Sequence, residues 1–228
     1  EVVDFNILFP LITPAEISNL PNPTFCSIVR FVARTGCITK MFKEIVKAPS
    51  EEAVSQHTIL TGNQEVVNIS LVPDLDGMVS KEETGVNWLD TVEHMLVKFP
   101  NGSRTNACSG SVLHYSFNEE NAERFKNKPL SMSVTYLKIK KGNEKDLTEF
   151  LVTPTMHDQR ILYCAIQVDE QKFIMLNKYV LDEKREYENM SLYFLDKIEH
   201  LLDSSKEISV DTLFGRVAEW YNDQVYLK

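Results

Sequence analysis

The chain has 228 residues, of which 43% are hydrophobic and 25% charged, a balance typical of a folded globular protein rather than a disordered one. Its 33 acidic and 24 basic residues give a formal net charge of -9, which repels a polyanionic backbone and disfavours nucleic-acid binding. No apolar run approaches the roughly 20 residues that span a bilayer, so we expect no membrane span and one domain over residues 1–228.

Residues 1–56 are predicted to form a helical N-terminal extension. The run Thr13-Pro14-Ala15-Glu16 has the cap, the first-turn proline and the following glutamate of a helix start, and Pro21 ends that helix. A second helix is predicted from the spacing of its apolar residues, which are Ile38, Met41, Phe42 and Ile45.

Residues 57–181 are predicted to form antiparallel strands. β-branched and aromatic residues favour strands over four ranges in its first part, which are Thr58–Leu60, Glu65–Val72, Trp88–Phe99 and Ser109–Phe117. An acidic, glycine-containing segment over residues 73–87 is predicted to be a long loop, and a helical turn is expected within Asn118–Asn127.

The clearest strand pattern follows at Leu130–Tyr136, where apolar residues alternate with Ser131, Ser133 and Thr135. The phase changes at Leu137 and Ile139, which predicts a bulge or a bend. Further strands are predicted at Leu147–Thr153, Ile161–Val168 and Phe173–Leu181. The pattern indicates an antiparallel β-meander or barrel, and we find no internal repeat in the sequence.

Residues 182–228 are predicted to form a helix and a C-terminal tail. Leu192, Leu195, Ile198 and Leu202 lie on one face of a helix over Ser191–Leu202, which is typical of a helix packed on a sheet. The tail is aromatic enough to dock on the domain. The predicted fold class is therefore mainly β (α+β), with a packed C-terminal helix and an N-terminal helical elaboration.

The four cysteines have no close CxxC pair, so an even number favours two disulfides, although four reduced core cysteines would look the same. The disulfide candidates are Cys26, Cys37, Cys108 and Cys164.

Three acceptor patterns for N-glycosylation occur, at Asn68, Asn101 and Asn189. The chain also starts at Glu1 rather than Met, as it would after signal-peptide removal or other trimming. Together with the cysteine count, these features predict a secreted, extracellular glycoprotein.

No motif in the chain carries obvious chemistry. HxH, HExxH, GxSxG and GxGxxG patterns are missing from the sequence, so we predict no metal, no cofactor and no enzyme activity. One alternative stays open, in which an enzyme site is assembled from distant residues such as His94, Cys108 and His114.

Part of the second half resembles the lipocalin family. The runs Phe150–Thr153 and Ile161–Cys164 flank a loop with Asp158 and are similar to the family's paired strands around its Thr-Asp-Tyr motif. Phe173–Lys178 resembles the strand that ends in the family's basic residue, and Ser191–Leu202 resembles its packed helix. The family's N-terminal Gly-x-Trp signature is absent.

The resemblance implies an up-and-down barrel of about eight strands that encloses one small hydrophobic ligand. The protein would then be a secreted carrier, used in transport. The side chains expected to line the cavity, or else to fill a solid core, are Met132, Val134, Tyr136, Phe150, Tyr163 and Met175. An alternative is a secreted interaction protein that engages a partner protein without a small ligand.

Overall fold

The computed structural model describes residues 21–38, 40–41, 44, 55–60, 64–74, 89–125, 130–153, 160–180, 194–203, 210–221 and 224–227. They form mainly antiparallel β-structure with a few helices, which confirms the predicted α+β, mainly β class. The chain divides into two compact units. One comprises Glu1–Ser109 and Gly215–Lys228, and the other comprises Gly110–Phe214.

The first unit is a sheet in the hydrogen-bonded order β10-β9-β2-β3-β1-β5, with β4 paired to β1. Its strands are β1 (Phe25–Ala33), β2 (Ser55–Leu60), β3 (Glu65–Val72), β4 (Leu96–Val97), the start of β5 (Asn106–Phe117), the end of β9 (Val210–Tyr221) and β10 (Gln224–Leu227). Helical residues 38, 40, 41 and 44 and the 3-10 helix Glu93–Met95 accompany them. One core cluster joins helices to strands, because Met41 and Met95 pack with Phe31 and Val66.

The second unit has the order β5-β7-β8-β6-β9. Its own elements are α1 (Glu119–Phe125), β6 (Leu130–Lys138), α2 (Glu144–Val152), β7 (Leu162–Gln167), β8 (Lys172–Val180), the helical residues 194–198 and the 3-10 helix Glu199–Leu201. Leu147 and Leu151 of α2 are fully buried against Leu137 and Phe173 of the sheet. Each such side chain stabilises the fold by about 1.5–3 kcal/mol.

Strand β6 is buried on both faces. Its register with β8 runs without interruption from Leu130 to Lys138, so the bulge predicted at Leu137 and Ile139 is wrong. Met132 and Val134 are fully buried on one face, while Leu137 packs on the other face among the helices. The phase change in the sequence therefore marks the point where the buried face that carries Ser133 and Thr135 becomes apolar at Leu137.

The two units repeat one order of elements. In each, a long strand leads through a glycine turn into a helix, and two hairpin strands, a 3-10 helix and another long strand follow. The turn glycines are Gly36, with φ of +79°, and Gly142, with φ of +93°. The sequence shows no internal repeat, but the order of elements repeats.

Backbone hydrogen bonds repeat as well. Arg34 N–H donates to Met95 O at 2.8 Å in the first unit, and Lys140 N–H donates to Leu201 O at 2.9 Å in the second. The sequence hides this repeat because it lies in backbone register, while most equivalent side chains differ. A short shared string survives at the 3-10 helices, Glu-His-Met-Leu from Glu93 and Glu-His-Leu-Leu from Glu199.

Most strand predictions agree with the structure. The range Glu65–Val72 is β3 itself. The other predicted strands lie inside an observed strand or within one or two residues of its ends. They are Thr58–Leu60 for β2, Ser109–Phe117 for β5, Ile161–Val168 for β7 and Phe173–Leu181 for β8. The helical turn expected near residue 120 is α1, and a helix is present within Ser191–Leu202.

Two predicted strands are wrong. Residues 89–92 are helical and lead into the 3-10 helix Glu93–Met95, so Trp88–Phe99 supplies only the two residues of β4. Leu147–Val152 belongs to helix α2 instead, and Thr153 is the residue that follows it. Leu147 and Leu151 are four residues apart, which places both on the buried face of a helix, and Glu144 and Asp146 stabilise its first turn.

The predicted subdivision changes too. The supposed N-terminal helical extension contains strand β1, and the supposed tail contains β9 and β10. The prediction of one domain is not tested by the division into units, because β5 and β9 each run from one unit into the other. The helix predicted from Pro14 lies outside the described residues. Within the described part, every helix is too short or too polar to cross a membrane.

Candidate functional site

One face of the second unit's sheet carries a polar row beside its helix-covered core. Asn177 of β8 lies directly opposite Ser133 of β6 on one side and Tyr163 of β7 on the other. All three are buried, with 0–5% of their surfaces exposed. Tyr163 belongs to the same core cluster as Leu147 and therefore faces the helices. Buried polar residues in the middle of strands are costly unless hydrogen-bonded, so this row is a candidate site.

Tyr163 is the centre of the candidate site. Its hydroxyl donates to Leu151 O at 2.9 Å, which ties the strand to the end of α2. The Arg160 guanidinium carbon lies 4.9 Å from the centroid of the Tyr163 ring, within the range of a cation–π interaction. The His114 ring lies 5.8 Å from it, tilted by 46°. We call Tyr163, Arg160, His114 and Asn177 the Tyr163 cluster.

His114 reaches the cluster through an irregularity of β5. The register between β5 and β7 shifts between Val112 and His114, which brings His114 opposite Ala165. A bulge of this kind redirects one side chain and is common beside functional sites.

Three polar atoms of the Tyr163 cluster are buried without a hydrogen-bond partner among the described residues. They are His114 Nε2, Arg160 Nε and Asn177 Oδ1. A buried polar atom without a partner costs about 1–3 kcal/mol, so three such atoms in one cluster lower the stability of the fold substantially. The arrangement is explained if a ligand supplies the missing partners.

The three atoms offer complementary chemistry. Arg160 Nε is a permanent hydrogen-bond donor with a positive charge, and Asn177 Oδ1 is an acceptor. His114 Nε2 can donate or accept a hydrogen bond, depending on which ring nitrogen carries the proton. The cluster can therefore bind an oxygen-bearing aromatic ligand and remove or return a proton, as general acid–base catalysis requires.

On the opposite face of this sheet, two titratable groups have raised pKa values. Tyr115 lies across from Cys164, and burial, followed by the charge of Cys164, raises the pKa of Tyr115 to about 12. Burial also raises the pKa of the Cys164 thiol, which keeps it protonated and unreactive. No group of three or more His, Cys, Asp or Glu residues in the described part of the chain is placed to hold a metal ion.

The surface of the first unit carries an ordinary ionic network. Arg104 bonds to Asp90, and this bond raises the pKa of Arg104. A hydrogen bond from Lys98 lowers the pKa of Glu93. These groups are exposed and surround no buried site, so we give them no functional role.

The six residues predicted to line a cavity fall into two sets. Met132, Val134 and Tyr136 lie on the sheet face with Leu176 and Cys164. Tyr163 and Met175 lie on the helix-covered face, and Phe150 lies on α2 with its ring 4.6 Å from that of Phe194. The structure therefore does not bring the six together on one surface. Their role in ligand binding stays a prediction.

The structure contains no disulfide among Cys26, Cys37, Cys108 and Cys164, so the predicted disulfides are wrong. This removes one of the three reasons for expecting secretion. Of the glycosylation candidates, Asn101 lies in an exposed turn, where its Oδ1 accepts from Ser103 N–H at 3.0 Å. Asn68 lies half-buried in the middle of β3, a poor position for a glycan, and Asn189 lies outside the described residues.

The enzyme alternative named one residue of the site. His114 belongs to the Tyr163 cluster, but His94 is an exposed residue of a 3-10 helix and Cys108 lies at the start of β5. Arg160 and Asn177 were missed. Asn177 and Lys178 are polar residues inside an otherwise apolar strand, and this interruption was the available signal. Arg160 left no sequence signal, because only the fold places it over Tyr163.

Comparison with known proteins gives a fold and no family. Neither the protein-family models nor the curated protein sequences contain a match to this chain. Solved structures do match. A protein of Fusobacterium nucleatum subsp. nucleatum ATCC 25586, described as a "putative monooxygenase", is similar with a TM-score of 0.64 at 9% identity, over 92% of this chain and 96% of the other.

Two further solved structures share the fold. One, from Lactobacillus acidophilus NCFM and described in the same words, has a TM-score of 0.61 at 8% identity, over 90% of this chain and 96% of the other. An anthrone oxidase-like protein has a TM-score of 0.59 at 9% identity, over 91% of this chain and 94% of the other.

These likenesses correct the functional predictions. The neighbours are named for enzyme activities rather than for transport, which contradicts the predictions of a lipocalin-like carrier and of a protein without enzyme activity, while secretion stays a prediction. The antiparallel sheet that the lipocalin resemblance implied is present, but the likeness is not to lipocalins in particular. The strand Phe150–Thr153 on which that resemblance relied lies in helix α2, apart from its last residue.

Proposed function

We propose that this protein is an oxygenase-type enzyme that oxidises a planar aromatic compound at the Tyr163 cluster. The observation that carries the proposal is a set of three buried polar atoms without a hydrogen-bond partner among the described residues, on side chains that contact Tyr163 or lie opposite it in the sheet. The names of the fold neighbours support the reaction class, and the name of one of them supplies anthrone as a test substrate.

His114 is the proposed base. Anthrone has an acidic CH2 group opposite its carbonyl, and His114 Nε2 would remove one of those protons. The negative charge moves to the former carbonyl oxygen, where the Nε–H of Arg160 stabilises it with a charge-assisted hydrogen bond. Asn177 Oδ1 would accept a hydrogen bond from a hydroxyl group on a substituted substrate.

Dioxygen is the oxidant. The substrate anion gives electrons to dioxygen, a carbon–oxygen bond forms, and the resulting peroxide takes the proton held by His114. The second hydrogen of the original CH2 group then leaves as a proton while the O–O bond breaks, which releases water and leaves a ketone. One dioxygen is consumed for each quinone and each water formed, so the reaction balances.

The test is oxidation of anthrone in air-saturated buffer, followed by dioxygen uptake and quinone absorbance. Isotope-labelled dioxygen should place one labelled oxygen in the quinone. We expect His114→Gln and Arg160→Ala to lower kcat by about 10²-fold each, as is usual for a general base or an oxyanion donor.

Matched controls are available in the same unit. His200→Gln removes an exposed histidine, and Arg124→Ala removes another guanidinium that lies 4.9 Å from an aromatic ring, that of Phe125. Both should leave the rate unchanged. The proposal is wrong if wild-type protein oxidises anthrone no faster than buffer, or if the His114 and Arg160 variants retain full activity.

A further inference from the structure

Helix α1 holds the segment that carries Arg160. The Asn121 amide donates from Nδ2 to Arg160 O at 3.1 Å, and the backbone N–H of Asn118 donates to Ile161 O at 2.9 Å. Ile161 N–H in turn donates to Lys178 O at 2.9 Å. Two consecutive carbonyls ahead of β7 are therefore bonded to one helix start, which fixes where β7 begins.

The Asn121 side chain is buried and bonds to the backbone of Arg160 rather than to solvent. It is 4% exposed although it lies on a short polar helix, and its backbone N–H donates to Asn118 Oδ1 at 2.9 Å. A buried amide is retained when its hydrogen bonds are satisfied, and the bond to Arg160 O crosses between two elements.

The guanidinium of Arg160 has little else to hold it among the described residues. Its Nε has no hydrogen-bond partner there, and the contact described for its charged end is the face of the Tyr163 ring. A long side chain samples many rotamers unless its backbone is fixed. The backbone bond from Asn121 therefore helps to keep the guanidinium over the ring.

We infer that Asn121 is a positioning residue, which acts through Arg160 to aim its Nε–H at the bound substrate. The inference rests on the proposed function for its catalytic part, since Arg160 is the group that would stabilise the substrate anion. A misplacement of about 1 Å at such a group can lower a rate by up to about 10²-fold.

The test uses Asn121→Leu, which keeps the branched shape and the number of heavy atoms but has no donor, and Asn121→Ala as a second variant. Nitrogen-15 NMR of arginine Nε–H groups reports position directly, because a proton over an aromatic ring is shifted upfield. We expect the Arg160 signal, assigned by its loss in Arg160→Ala, to move downfield in both variants. With anthrone, kcat should fall about tenfold while KM changes less than twofold.

Asn118→Ala is the matched control. It removes the cap of the same helix, which destabilises α1 by about 1 kcal/mol, but leaves the bond from Asn121 to Arg160 in place. Its Arg160 signal should stay at the wild-type position, which separates positioning from general loss of helix stability.

The outcomes distinguish the two proposals. If the Arg160 signal stays at the wild-type position in both Asn121 variants, the positioning role is refuted whatever the activity. A signal that moves, in a protein that oxidises no anthrone, supports the role of Asn121 and refutes the proposed function. Equal movement in Asn118→Ala would also refute the role, because the effect would then belong to the helix as a whole.

Discussion

At the scale of single residues, the site is defined by what its polar atoms lack. The Tyr163 hydroxyl is satisfied, since it donates to a backbone carbonyl. His114, Arg160 and Asn177 each leave one buried atom unsatisfied among the described residues, and all three surround the same ring or lie beside it. Sequence analysis could name His114 as a candidate but could not join it to the other two, since they come from separate segments.

The residue scale also yields a pH prediction for Tyr115. Burial raises its pKa from 10.0 to about 12, so the folded state keeps the phenol neutral where the unfolded chain would ionise it. The resulting stabilisation is fully present below pH 10 and is lost as the pH rises towards 12. Two pKa units correspond to about 2.7 kcal/mol.

The measurement is the free energy of unfolding in urea at pH 9 and pH 11.5 for wild-type protein and Tyr115→Phe. The wild type should lose roughly 2 kcal/mol more than the variant over this interval. Cys164→Ala serves as a second comparison, because burial raises the pKa of that thiol as well and contributes in the same direction. Identical pH dependence in Tyr115→Phe and wild type would contradict the prediction.

At the scale of elements, the sequence predicts those elements whose residue pattern is local. Alternation finds β6, and β-branched runs find β3, because both signals depend on neighbours in the chain. Helix α2 was missed since Phe150, Leu151 and Val152 are consecutive apolar residues that suit a buried strand equally well. The acidic first turn at Glu144 and Asp146 and the leucines four residues apart favoured the helix that forms.

The contact between β5 and β7 gives a prediction at this scale. Gly110 lies so close to β7 that a Cβ built on it would be 2.3 Å from Gln167 O and 2.8 Å from Ile166 Cγ2. No rotamer relieves a clash with a backbone oxygen, so the strands must separate. We expect Gly110→Ala to lower the free energy of unfolding by about 2–4 kcal/mol.

Ser111→Ala, at the exposed neighbouring position of β5, is the control and should change stability by less than about 0.5 kcal/mol. Urea unfolding of both variants measures the difference. A Gly110→Ala protein as stable as the wild type would mean that the two strands are not as closely paired as the structure has them.

At the scale of the whole chain, the repeated element order allows a comparison of the two units. Asn177 pairs with Ser133 and Tyr163, and the equivalent strands of the first unit pair Ser70 with Ser27 and Gln56. The polar row therefore recurs in register but without an aromatic ring at its end.

The position equivalent to His114 also differs between the two units. His114 lies opposite Ala165 of β7, and the equivalent position in the first unit, opposite Thr58 of β2, is Ala218. Without an imidazole at that position, the first unit lacks the proposed base. The two units share one order of elements, but the proposed chemistry belongs to the second unit.

We accordingly expect one bound aromatic ligand per chain rather than two. Isothermal titration with anthraquinone-2-sulfonate, a soluble analogue of the quinone product, should give a stoichiometry of one. Arg160→Ala should weaken this binding by about tenfold or more, since a charge-assisted hydrogen bond to a ligand oxygen contributes about 1.5–3 kcal/mol. Ser70→Ala, at the position equivalent to Asn177, should bind like the wild type. Two equivalents per chain, or weaker binding in Ser70→Ala alone, would show that the first unit binds the ligand.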